Sequence, residues 1–215
     1  KTDLVWDGAA SGLQSIDFTT GFSVEKELGG KLKVKDQGQS LSCTGQTAAY
    51  YAEVLQALEM KSLTGLTLDE LREYQPLTVE ELSAKSIYSQ TYLPDGGAYA
   101  SYALGRLVNW GILYESQVPS TPNSENHLRD ATWRNEFVSH MAAKMQNKSV
   151  AVFYPRSIAE IAQAIKENHG VGLIVAGSNN RTWRSLRPLP PKLGEDMWYH
   201  MIYCGSYGKD EYGPY

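Results

Sequence analysis

The chain has 215 residues, 42% hydrophobic and 20% charged, with a formal net charge of −4, which fits an ordinary globular protein with a real core. That balance leaves no basic footprint for nucleic acid or an acidic membrane surface, and no apolar run reaches the roughly 18 to 20 residues of a membrane span. Two cysteines, Cys43 and Cys204, allow one disulfide at most; this excludes a disulfide-stapled scaffold and is compatible with a reducing compartment, cytoplasmic or virion-associated.

The first forty residues contain short extended pieces, SIDFTT and KLKVKD. From Cys43 to Lys61 the apolar positions Ala48, Ala52, Leu55 and Leu58 recur every three or four residues, one face of a helix. In TVEELSAKSIYSQ, Thr78 stands three residues before Glu81 as in a capping box and predicts a second helix. The turn YLPDGG leads to a third helix, AYASYALGRLVNW, stopped by Gly111. STPNSEN reads as a loop, and residues 128–145 as an amphipathic helix. SVAVFYP has strand composition, SIAEIAQAIKENHG is a helix capped by Ser157 and stopped by Gly170, and VGLIVAGS reads as a buried strand. A long surface loop, RTWRSLRPLPPKLGEDM, precedes the aromatic-rich strand MWYHMIYCGSYG and the turn-like GKDEYGPY. Helices first and strands after predict an α+β protein of two lobes.

Cys43 stands at the start of its helix, behind the glycine-containing loop KDQGQSLS. A helix N-terminus presents unpaired N–H groups and the positive end of the dipole, a setting that favours an anionic sulfur. A lone cysteine is more often a small buried hydrophobe, so a base is needed to read it as a nucleophile. His127, His140 and His169 fall on polar or helical segments and read as solvated or capping. His200 lies within a strand after Trp198 and Tyr199, with the order and setting of the second member of a Cys/His pair. The four histidines and two cysteines have no zinc-ligand spacing, and no metal or cofactor is expected. The opening KTDLVWDGAASG lacks a signal-peptide pattern.

At these residues the sequence resembles the papain-like cysteine peptidases (peptidase family C1). DQGQSLSC resembles the motif in which a glutamine precedes the nucleophile by six residues, as Gln37 precedes Cys43. The segment from SAKSIYSQ through LPDGGAYASYALGRLVNWGIL is similar to the one carrying a double glycine, with Gly96 and Gly97 at those positions. AEIAQAIKENHGVGLIVAG resembles the following helix and strand, WYHMIYCGSYG the histidine strand, and SIDFTT the start of mature domains. The resemblance implies a single domain over residues 1–215 with a cleft between two lobes. Residues 36–118 would form a helical left lobe, and 13–35 with 119–215 a β-barrel-like right lobe lacking its last strands.

The implied activity is hydrolysis of peptide or protein substrates, without nucleic-acid or membrane partners. Cys43 would be the nucleophile, His200 the base, and Gln37 an oxyanion donor. Gly96, Gly97, Trp198 and Tyr199 would line the substrate site. Departures from the family pattern are Ser40 and Leu41 in place of a cysteine and a glycine, Thr44 and Gly45 after the nucleophile, and Pro94–Asp95 before the glycine pair. They point to a disulfide-poor member of bacterial or viral type. No asparagine motif follows His200 within the chain; an orienting Asn is expected beyond Tyr215. A papain-like fold with a structural or binding role, or another Cys/His hydrolase such as an NlpC-type amidase or a transglutaminase, remain the alternatives.

Overall fold

The computed structural model describes residues 4–5, 15–74, 79–135, 151–152, 154–178 and 197–215. Strands β1 (Leu4–Val5) and β2 (Phe22–Ser23) precede helix α1 (Val24–Leu28), capped by the Ser23 hydroxyl and closed by Gly29 in the left-handed region. The SIDFTT piece is only partly extended: Asp17 accepts from Thr19 N and Thr20 Oγ1, which bends the chain into a turn ahead of β2. KLKVKD forms no strand; it runs irregularly into the loop before Cys43.

Helix α2 (Cys43–Thr64) is the axis of the molecule. Its apolar face is wider than a single stripe, because Ala48, Ala49, Ala52, Val54 and Ala57 are all buried together with Gly45, Thr47 and Glu53. Small side chains allow neighbours to close on it from several sides. At Gly45 a Cβ would stand 2.9 Å from both the Ala84 carbonyl oxygen and Tyr88 Cβ, an approach that only glycine permits.

The observed capping box is at Thr67 and Glu70, which opens helix α3 (Leu68–Glu73). Thr78 lies outside the described residues, and the helix expected from it begins later: α4 covers Ala84–Tyr88 and is capped by Ser83. The preceding Glu81–Leu82 segment is tied to residues 113–115 instead, through an antiparallel bridge between Leu82 and Tyr114 and a bond from Glu115 N to the Glu81 carbonyl. α5 (Ala100–Trp110) ends at Gly111 as expected. α2, α4 and α5 enclose one core of Ala48, Ala49, Ala52, Leu82, Ile87, Ala103, Leu107 and Ile112.

A short helix α6 (Glu125–Arg129), capped by Ser124, begins inside the segment expected to be a loop. Of the helix expected over 128–145, residues 130–135 form a turn and irregular chain, and 136–145 lie outside the described residues. β3 (Ala151–Val152) pairs parallel with β1. α7 (Ile158–Asn168) is capped by Ser157 as expected, but the left-handed residue that ends it is His169 (φ 55°), one place before Gly170. His169 holds that conformation between two partners, its Nδ1 2.9 Å from Glu27 Oε2 and its carbonyl accepting from the Tyr203 hydroxyl at 2.6 Å.

β4 (Val171–Ser178) pairs antiparallel along its full length with β5 (Met197–Cys204). β4 is not the buried strand expected: half-buried and exposed residues alternate up to Ala176, as in an antiparallel sheet with one covered face. β6 (Ser206–Tyr207) pairs with β2, and Tyr207 packs its ring on Phe18 and Phe22. In GKDEYGPY the turn closes a small hairpin of β7 (Lys209–Asp210) and β8 (Gly213–Pro214). Among the described residues the strands of the strand-rich half pair two at a time, as ribbons. No helix among the described residues is long and apolar enough to cross a membrane.

Candidate active site

The loop into α2 is built by local hydrogen bonds. Asp36 Oδ1 accepts from Gly38 N at 2.8 Å, and the Gln37 carbonyl accepts from Ser40 N and Ser40 Oγ at 3.1 and 2.7 Å. Gly38 takes φ 57° where a Cβ would meet the Asn123 carbonyl oxygen at 2.9 Å, so glycine is required there. Gln37 Nε2 donates to the Ser40 carbonyl at 3.1 Å. This bond fixes the amide plane and uses one of its two N–H groups. Ser40, where the family pattern has a cysteine, is buried and shares a 2.7 Å hydroxyl–hydroxyl bond with Ser42.

Below this loop lies a buried ion pair. Lys35 Nζ stands 2.5 Å from Glu53 Oε1 on α2 and donates to the Leu82 carbonyl at 2.9 Å. The same carboxylate oxygen accepts from Leu82 N at 2.6 Å. Burial raises the Glu53 carboxyl above its usual range, opposed by Lys35 and the Leu82 N–H.

A second carboxylate joins the two loops beside the site. Glu125 Oε2 accepts from Leu41 N at 2.8 Å, while Oε1 accepts from the Tyr88 hydroxyl at 2.6 Å and Arg129 Nε at 2.7 Å. Burial would raise this carboxyl, but the Leu41 N–H, the Tyr88 hydroxyl and Arg129 outweigh it and hold it low. Burial, and then the bond to Glu125, push the Tyr88 hydroxyl up, so it stays protonated and donates. Tyr88 OH in turn accepts from Gly97 N at 3.0 Å, and Arg129 faces the Leu93 and Pro94 carbonyls at 3.4 Å.

Gly96 and Gly97 have φ 94° and 72°, conformations that few other residues adopt. Gly97 N is engaged by Tyr88, and the Gly97 carbonyl accepts from Leu93 N at 2.8 Å. That pairing shuts the turn on itself and engages both backbone groups of Gly97.

On the strand side, His200 pairs with Val175 in the β4–β5 register, and Trp198 lies over Gly177, where a Cβ would meet its ring at 2.3 Å. Partial burial lowers the His200 ring below the usual imidazole range, which favours its neutral form. Both cysteines are free, and burial pushes the Cys204 thiol up.

One cleft of about 1550 Å³ is lined by all seven residues singled out in the sequence: Gln37, Cys43, Gly96, Gly97, Trp198, Tyr199 and His200. Leu41, Tyr99 and Ile174 also line it. The hydrogen-bonding carboxylates Glu53 and Glu125 escaped the sequence reading. Neither sits in a motif, and apart from Arg129 their partners lie far away in the sequence.

The fold that brings this helix-start cysteine and strand histidine to one cleft, a mixed helix-and-strand one, matches those of papain-like cysteine proteases. Xylellain, a cysteine protease from Xylella fastidiosa, superposes with a TM-score of 0.64 at 15% identity over 96% of this chain and 75% of its own. A Carica candamarcensis cysteine protease solved in complex with E-64 matches with a TM-score of 0.59 at 19% identity, over 90% of this chain and 78% of its own. Procathepsin B from Trypanosoma congolense matches with a TM-score of 0.61 at 13% identity, over 99% and 73%. No family model matches the chain, and no curated protein matches it by sequence. The likeness is one of fold, and the fold is shared with cysteine proteases.

Proposed function

We propose that this chain is a papain-like cysteine endopeptidase that hydrolyses peptide bonds through Cys43 and His200. The observation that carries the reading is the single cleft shared by Gln37, Cys43, His200 and the glycine pair. His200, kept neutral by its burial, takes the thiol proton. The Cys43 sulfur attacks the peptide carbonyl carbon, and the carbonyl electron pair moves to oxygen. The Gln37 amide and the Cys43 backbone N–H stabilise that oxyanion, where loss of one donor typically costs about 10²- to 10³-fold in rate. The tetrahedral adduct collapses to a thioester as His200 gives its proton to the leaving amine, and water, activated by the same imidazole, releases the acid and restores the thiol. No metal or cofactor takes part in this scheme.

Cys43→Ala and His200→Ala are each expected to abolish hydrolysis of a peptidyl fluorogenic substrate while leaving the circular dichroism spectrum unchanged. The wild-type chain should also take up one equivalent of E-64 at Cys43. Hydrolysis surviving in purified Cys43→Ala protein would overturn the reading.

A further inference from the structure

Leu41 has the position of a barrier. It lies two residues before Cys43, lines the cleft, and is half exposed (52%). Its terminal methyl occupies the dent left by Gly96: a Cβ on that glycine would stand 2.3 Å from Leu41 Cδ1. The contact spans two loops that a single carboxylate ties together. Glu125 accepts from the Leu41 N–H and the Tyr88 hydroxyl, and that hydroxyl holds Gly97 N. The leucine backbone is therefore fixed on the glycine turn, and its side chain cannot leave by a swing of the loop.

Resting on the peptidase reading above, the geometry points to Leu41 as a bar that restricts the residue immediately before the scissile bond to glycine or alanine. During attack the leaving nitrogen must face His200, its proton donor. The acyl side of the substrate then extends away from β5, and Leu41 and Gly96 belong to the helical side of the cleft, before α2 and between α4 and α5. A leucine in contact with a glycine there leaves no room between them for a large side chain, and discrimination by such a clash acts against the wrong substrate instead of strengthening the right one. Beyond that position the exposed apolar side chains of Val34, Tyr99, Ile174 and Tyr199 along the same cleft favour apolar residues. The substrates expected are apolar peptide segments that present a small residue at the cut.

The test uses the full chain and two matched tripeptidyl coumarins, ending in glycine or in phenylalanine before the leaving group. The matching tripeptidyl chloromethyl ketones and iodoacetamide serve as thiol probes read at the Cys43 peptide by mass spectrometry. Wild-type kcat/KM should favour the glycine substrate on the order of 100-fold, and Leu41→Gly should collapse that ratio at least ~10-fold. Alkylation should follow the same order, with the phenylalanine reagent gaining on iodoacetamide only in the variant. If neither substrate is turned over, the peptidase reading fails, and the alkylation ratios alone decide the bar. A ratio that differs between wild type and Leu41→Gly keeps it, and an unchanged ratio overturns it. Equal turnover of both substrates by the wild type overturns it as well. Leu41→Ala, a smaller change at an exposed position, gives the same comparison should Leu41→Gly be poorly folded.

Discussion

Replacing Lys35 by methionine tests whether the buried ion pair holds the loop that leads to Cys43. Glu53 is 2% exposed and Lys35 11%, with 2.5 Å between Nζ and Oε1. Lys35→Met preserves most of the side-chain length but leaves the Glu53 carboxylate buried with only the Leu82 N–H. Removing one partner of a buried pair costs about 3–5 kcal/mol, against a typical total stability of about 5–15 kcal/mol. For a chain of this size each kcal/mol moves the melting temperature by roughly 2–4 °C, so a fall of about 6 to 20 °C is expected.

The pH dependence gives a second reading of the same variant. Burial already raises the Glu53 carboxyl and Lys35 opposes that rise, so the variant's folded state holds its proton to higher pH than the unfolded state does. The folded state then binds more protons, and stability falls as pH rises from the ordinary carboxylate range through the raised value. The deficit of Lys35→Met should therefore be smaller near pH 5 than near pH 8. Adding Glu53→Gln removes the stranded charge and keeps an acceptor for Leu82 N, so the double variant should recover most of the loss. Urea unfolding at the two pH values measures all three proteins. A Lys35→Met loss below ~1 kcal/mol at pH 8, or a double variant no better than the single, would refute the argument.

At Gly45, alanine gains about 1 kcal/mol of helix propensity but drives its methyl to 2.9 Å from the Ala84 carbonyl oxygen and Tyr88 Cβ. Overpacking against backbone costs about 1–3 kcal/mol, so Gly45→Ala should melt lower than wild type; a higher melting temperature would show that α2 and α4 can part freely. His200, with its folded value lowered by burial, stabilises the fold fully only above its ordinary value of 6.5. The unfolded imidazole binds its proton first as pH falls, so stability drops through that window and His200→Gln should lessen the slope. Identical slopes for the two proteins between pH 5 and 7.5 would refute that.

The long helix from Cys43, the Gly111 stop and the histidine strand were legible because each is written locally, in periodicity and in terminal residues. Thr67 and Glu70 show why local signals are not sufficient. The same Thr-x-x-Glu spacing occurs at Thr78 and Glu81, yet Glu81 joins an extended segment because Tyr114 and Glu115 pair with it and its neighbour Leu82. β4 read as buried from its apolar run, but only tertiary packing decides whether one face or both are covered. Ser124–Glu125 looked like part of a polar loop, and the value of Glu125 lies in partners 84 and 37 residues away. The departure at Leu41 was visible in the motif, whereas its seat on Gly96 was not.

The spacing of the candidate nucleophile and base depends on how α2 meets β5, since the two side chains come from opposite ends of the sequence. Thr47 Oγ1 donates to the Met201 carbonyl at 3.0 Å. Thr47 is four residues along the helix from Cys43 and Met201 is the neighbour of His200, so this bond acts about 6 Å of rise from the sulfur's own residue. Further along the same two elements, Tyr50 and Tyr203 pack their rings with centroids 4.9 Å apart. Tyr203 also reaches the His169 carbonyl, and Tyr51 the Asn168 carbonyl at 3.0 Å. The end of α7 is thereby fixed to the same seam, and with it the start of β4, the strand that sets the register of His200. Gly170 and Gly172 lie where a side chain would strike Tyr203 and Met201 at 2.2 and 2.4 Å, which leaves room for those two side chains of β5 to lie across the start of β4. The site's geometry is thus carried by aromatic packing and three hydroxyl–carbonyl bonds along the seam of α2, β5 and the end of α7.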